Sequence, residues 1–331
     1  MARRALIVGI DTYAGGDGLM ACAADATAVA HALARHKNGE KNFDCELLAD
    51  ETPSGATVTR PRLRAALTDL FAFDGVVLFY FSGHGFLSRT GGWLGTSDGT
   101  RDDWGISMHE IVDLALQSPA REVLLVLDCC YGGDLCSSGA LGGGAGRMPL
   151  ATLRENLTVM AASRSRQEAV AVASRSCFTA ALLDALEGGA ADHMGFVTAP
   201  AVYAYVDRRF SPLEQRPVFK TNATEVLVVR RCEPLIDQLR LRRLAALFPT
   251  ADFRYRLDPE YEPEDEHGRL AVPLNEEKVE IARLFKTYRD VGLLRPSNPN
   301  HQLYWAARAC ETVELTPRGR EYWWLTVNGK I

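Results

Sequence analysis

The sequence predicts an α/β fold: a mostly parallel six-stranded sheet with helices on both faces, plus a small, mainly helical C-terminal domain. Three observations predict it. Short, β-rich apolar runs end in turn or polar residues, as strands buried on both faces do. Helical patterns alternate with those runs, which is the rhythm of a parallel sheet. In the last hundred or so residues that alternation stops and amphipathic helices take over. The 331 residues, 47% of them hydrophobic, suffice for one sizeable core and a second small one.

Strands are expected at Ala5–Ile10, Cys45–Leu48, Val76–Phe81, Val123–Leu127, Leu157–Ala161 and Val226–Val229. Between them, Ala21–Arg35 is Ala-rich with a helical period. Arg60–Phe71 carries Leu63, Leu67 and Leu70 on one face, with Pro61 suited to a first turn. Ser107 and Glu110 stand at capping-box distance ahead of a helix to Leu116. Ser176–Leu186 and Ala199–Arg209 complete the set. Gly132–Met148, with Gly142-Gly143-Gly144, reads as a flexible loop. The domains are expected at 1–231 and 232–331. In the second, Leu235–Phe248 and Glu276–Val291 read as helices, and Thr316-Pro317 as the start of a short one. Helices followed by a terminal β element would make a winged-helix-like module. Its charges look roughly balanced, so it suits docking a protein rather than DNA.

A net charge of −5 gives no electrostatic case for nucleic acid or an anionic membrane as partner. The opening apolar run follows two arginines but is short and interrupted by Asp11, so a buried strand fits it better than a signal peptide. No stretch approaches the ~20 apolar residues of a membrane span. Eight cysteines without a C-x-x-C pair suggest reduced thiols in a cytoplasm. The six histidines other than His84 show no metal spacing. The Gly9–Gly16 segment lacks the pattern of a phosphate loop.

Chemistry concentrates where strands end, the place where open α/β sheets bind ligands. Ser82-Gly83-His84-Gly85 follows one apolar run, and Asp128-Cys129-Cys130-Tyr131-Gly132-Gly133 follows another. An imidazole beside a thiol makes a nucleophile and carries a proton to a leaving amine. Glycines around the histidine let a substrate backbone approach and expose an N–H, that of Gly85, as an oxyanion donor. Adjacent strand-end residues point to opposite sides, so only one of the two thiols should face the cleft.

Six segments in order resemble the caspase/metacaspase peptidase clan: Ala5–Tyr13, Ala21–Ala26, Ser82–Gly85, Trp93-Leu94 with Asp98, Asp128–Gly133, and Val159–Ala169 with Cys177–Leu182. The resemblance covers residues 1 to about 230. It implies a cysteine endopeptidase with His84 as base and Cys130, two residues after Asp128, as nucleophile; Tyr131 and Gly132 depart from the commoner pattern. It also implies an S1 pocket of Cys22, Asp25, Ser82 and Asp128, the set found in members that cut after Arg or Lys. Two carboxylates in a partly buried pocket suit a guanidinium through charge-assisted, bidentate contacts. The expected substrates are therefore proteins or peptides with a basic P1 residue. Arg147 and Arg154 are candidate processing sites in and beyond the glycine-rich loop. An upstream protease, or a regulator docked on the C-terminal domain, would supply activation in a signalling or defence pathway. No cofactor is expected. Some members of the clan need calcium, but the acidic run 258–266 fits a solvated loop better than a calcium site. The competing reading is a catalytically weak caspase-homology scaffold acting in assembly. The Tyr322-Trp323-Trp324 cluster is expected in a core, and Asp11 in turn chemistry alone.

Overall fold

The computed structural model describes residues 1–50, 58–88, 91–100, 103–129, 154–162, 171–172, 175–210 and 216–331. Cys130, Arg147 and the glycine-rich loop 132–148 lie outside them. The chain divides into two compact units, Met1–Glu233 and Pro234–Ile331.

The first unit runs β1 (Arg3–Gly9), α1 (Cys22–Ala34), β2 (Asp44–Ala49), α2 (Arg60–Phe71), β3 (Val76–Ser82), β4 (Gly85–Ser88), β5 (Gly91–Thr100), β6 (Asp103–Ser107), α3 (Met108–Gln117), β7 (Glu122–Asp128), β8 (Leu157–Ala161), β9 (Ala171–Val172), β10 (Arg175–Ser176), α4 (Cys177–Asp184), β11 (Phe196–Thr198), α5 (Ala199–Asp207), β12 (Val218–Thr221) and β13 (Val228–Arg231). Six of these strands form the central sheet in the order β12-β8-β7-β3-β1-β2. All its pairs are parallel except β12 with β8.

Its sixth strand is β12, not the expected Val226–Val229. Val218–Thr221 is four residues long and contains Lys220, so it makes no apolar run; on an edge it needs none. The Val-rich segment instead becomes β13 and pairs with β11 in a separate ribbon.

Strand alternation sorts the core into two faces. Leu6, Val8, Phe79, Phe81, Leu125 and Leu127 pack with Leu63 and Leu67 of α2 and Ile111 of α3. Ile7, Leu78, Tyr80, Leu124 and Val126 pack with Val29 of α1, Phe178 of α4 and Val202 of α5. Each fully buried side chain of this kind stabilises by about 1.5–3 kcal/mol. The helix starts follow the sequence signals. The Ser107 hydroxyl accepts from the Glu110 N–H at 3.0 Å, and the Ser176 hydroxyl from the Thr179 N–H at 3.2 Å.

The second unit contains α6 (Gln238–Leu247), β14 (Tyr255–Arg256), α7 (Glu276–Asp290), β15 (Leu294–Pro296), α8 (Leu303–Arg308), β16 (Thr312–Leu315) and α9 (Pro317–Val327). The strands make an antiparallel sheet in the order β14-β16-β15. The terminal β element of the winged-helix expectation is not formed. The Thr316 hydroxyl accepts from the Gly319 N–H at 3.0 Å, Pro317 opens the helix, and the chain stays helical to Val327. Of the aromatic cluster, Tyr322 is buried and Trp323 donates its indole N–H to the Phe248 carbonyl at 2.6 Å, but Trp324 is exposed. In the acidic run, Asp258 and Glu260 pair with Lys278, and Glu262 pairs with Lys286. These carboxylates are answered by the lysines of α7.

Candidate active site

Backbone register aligns the tips of three parallel strands. Gly9 stands opposite Ser82, and Ser82 opposite Asp128. Helix α1 begins directly above them because Gly9 has no side chain; a Cβ there would lie 2.2 Å from the Cys22 carbonyl oxygen. Ala21, which precedes the helix, offers no side-chain cap. Asp11 does that work from eleven residues away: its carboxylate accepts the N–H groups of Cys22 at 2.8 Å and Ala23 at 3.1 Å. Its part thus goes beyond turn chemistry to fixing the helix that carries Cys22 and Asp25.

The four residues expected around a basic side chain come together on the face shared with α1 and α4. Asp25, Ser82 and Asp128 are 0%, 1% and 5% exposed, and Cys22 is half-buried. Ser82 hydrogen-bonds the Cys22 thiol; burial, with added repulsion from Asp11, Asp128 and Asp25, pushes that thiol up to about 12. Burial also raises the Asp128 carboxyl, against hydrogen bonds from Ser176 and Thr179 that favour its charged form. No ion pair reaches Asp128 from the described residues.

Three further residues build this cluster. The Thr179 hydroxyl donates to Asp128 Oδ2 at 2.6 Å. Having one proton, it must accept from the Tyr80 hydroxyl, 2.6 Å away, when Asp128 is ionised. The Ser176 N–H donates to Asp25 Oδ2 at 3.1 Å. Tyr80 was legible in part, since it lies two residues before Ser82 and so shares its face. Ser176 and Thr179 gave no signal beyond a helix start.

His84 follows β3 after Gly83, against which two aromatic side chains pack closely. A Cβ on Gly83 would lie 2.7 Å from the Tyr13 hydroxyl and 2.8 Å from the Phe81 ring. The Tyr13 hydroxyl accepts the His84 N–H at 2.7 Å and donates to the Ile10 carbonyl at 3.1 Å. His84 Nε2 lies 2.9 Å from the Asp17 carbonyl oxygen. A carbonyl only accepts, so Nε2 carries a proton; in the neutral ring the lone pair is on Nδ1. The Gly95 N–H donates to the His84 carbonyl at 2.9 Å, which makes Gly85–Leu94 a pair without mutual hydrogen bonds. The Gly85 N–H therefore faces away from β5 and is not spent in the ladder.

Asp128 belongs to the α1/α4 face, whereas Cys129 is buried among the side chains of the α2/α3 face. The two neighbours at this strand tip point to opposite sides. Arg154 is held by its guanidinium on the carbonyls of Ser118 and Ala120. Among the described residues no cluster of three potential metal ligands occurs, and no helix is long and apolar enough to cross a membrane.

A profile of the caspase domain matches residues 2–228. The chain belongs to the caspase-domain family. A crystal structure of a Geobacter sulfurreducens protein superposes with a TM-score of 0.51 at 19% identity, covering 71% of this chain and 98% of that one. Caspase-1 from Spodoptera frugiperda matches with a TM-score of 0.47 at 13% identity, covering 70% of this chain and 90% of its own. No curated protein matches significantly. As a caspase-domain protein the chain has the fold of a cysteine-peptidase family, whose members are hydrolases acting on proteins.

Proposed function

We propose that this caspase-domain protein is a cysteine endopeptidase that cleaves after basic P1 residues, Arg at least as well as Lys. Cys130 is the nucleophile and His84 the base. With Nε2–H committed to the Asp17 carbonyl, Nδ1 takes the thiol proton. The thiolate attacks the scissile carbonyl carbon, and the Gly85 N–H receives the oxyanion. Nδ1–H then protonates the leaving amine, and water releases the acyl group from sulfur. Cys22, Asp25, Ser82 and Asp128 receive the P1 side chain. The regulatory part of the proposal is loop processing at Arg147 or activation by an upstream factor docked on the C-terminal unit.

One observation carries the specificity: Asp128 is a buried carboxylate with hydroxyl donors and no cation among the described residues, beside a second buried carboxylate, Asp25. A site that leaves acid groups desolvated is poised for a cationic ligand. Fluorogenic peptides differing only at P1 test it. Arg and Lys substrates should turn over with wild type and not with Cys130→Ala. Cleavage of the Asp substrate alone would refute the proposal.

A further inference from the structure

We propose that the cavity beside His84 is a subsite for the residue just after the scissile bond, suited to an aromatic side chain with a polar tip, tyrosine first. The inference rests on the peptidase reading above and extends it to the leaving half of the substrate. The cavity measures about 210 Å³ and is walled by Tyr13, Asp17, His84, Phe86, Thr96 and Trp104. Phe86 and Trp104 stack with their centroids 4.2 Å apart. A cavity of roughly 150 Å³ takes a benzene ring, so this one holds a substituted ring.

Its polar requirement is specific. Thr96 is fully buried, and its hydroxyl oxygen has no hydrogen-bond partner among the described residues. A buried hydroxyl left unmet is costly, and an entering phenol would meet it. Asp17, exposed at the rim, repels an acidic residue.

Position assigns the cavity to the leaving side. The imidazole that protonates the leaving amine is one of its walls, so the departing peptide must run against it. The acidic P1 cluster lies on the α1/α4 face, whereas Tyr13 packs against the core of the α2/α3 face. One substrate can therefore fill both without competition.

The test uses internally quenched peptides that differ only in the residue after Arg: Tyr, Phe, Leu, Ser or Glu. Wild type should prefer Tyr over Ser by about tenfold in kcat/KM and over Phe by about fivefold, with Glu last. Thr96→Val should bring Tyr and Phe level, and Thr96→Ser should keep them apart. If Thr96→Val does not fold, the wild-type ranking and Thr96→Ser decide. A flat series from an enzyme that cleaves an arginyl-aminocoumarin, which has no amino acid after the bond, would overturn this inference and leave the peptidase reading standing. Failure to cleave that reporter would overturn both.

Discussion

Replacing Asp128 by Asn removes one buried charge while keeping its shape, and its two consequences should run in opposite directions. Burial holds the Asp128 carboxyl above its ordinary value of 3.8. Between the unfolded and folded values the native state binds more protons than the unfolded chain, so stability falls as pH rises through that window. Above it the full penalty is present. Asp128→Asn should therefore melt higher than wild type at neutral pH, with a gap that shrinks as the pH falls toward 3.8. Activity should suffer. A hydrogen bond to a charged group is worth about 1–2 kcal/mol more than a neutral one. Two such bonds to a guanidinium give about 2–4 kcal/mol, or roughly 30- to 1000-fold in kcat/KM. The assay compares reporters with arginine and with citrulline, its neutral isostere, at P1. The loss should fall on arginine and largely spare citrulline. Equal losses on both, or a melting gap that does not change with pH, would sink the reasoning.

Two further substitutions probe the supports of the site. Thr179→Val removes the 2.6 Å donor to Asp128 Oδ2 and takes one partner from the Tyr80 hydroxyl, leaving it Ser82. The Asp128 carboxyl should rise further, moving the acidic limb of the kcat/KM profile to higher pH and raising KM for arginyl substrates about tenfold; Thr179→Ser should restore both. Gly83→Ala drives a methyl group against the Tyr13 hydroxyl and the Phe81 ring. Overpacking of this kind costs about 1–3 kcal/mol, and the displaced imidazole should lower kcat at least tenfold while the Arg-over-citrulline preference persists.

Much of this was legible because parallel strands carry their meaning in composition. A run such as Val76–Phe81 is buried on both faces, so its apolar character is unbroken and its end is marked by the first polar residue. The candidate site stands at those marks, and the positions of Ser82, His84 and Asp128 at strand ends could be read from the sequence. Asp11 could not, because its partners are backbone N–H groups eleven and twelve residues on, where no side-chain pattern records the pairing. Thr179 and Ser176 escaped for a similar reason: both look like the opening of a helix, and their second role depends on where α4 docks. The edge strand β12 was lost to its shortness, and Val228–Arg231 was misassigned because Val-rich character reports strand but not partner. At the C-terminus the Thr316-Pro317 helix start was legible, but the helix runs on to Val327 in place of the expected terminal β element, and its packing leaves Trp324 in solvent.

The same electrostatics explain how several thiols can crowd a site that needs one. A thiol reacts as its thiolate, so its environment decides whether it competes. Cys22 stands among Asp11, Asp25 and Asp128 and is desolvated as well, which keeps it protonated far above neutral pH and leaves it a neutral partner for Ser82. Cys129 is removed by parity: one residue past Asp128 it turns into the α2/α3 core, where neither solvent nor substrate reaches it. The acids that would grip a cationic side chain thus also silence the neighbouring sulfur. Strand alternation silences the other, in keeping with the proposal that the nucleophile stands two residues past Asp128.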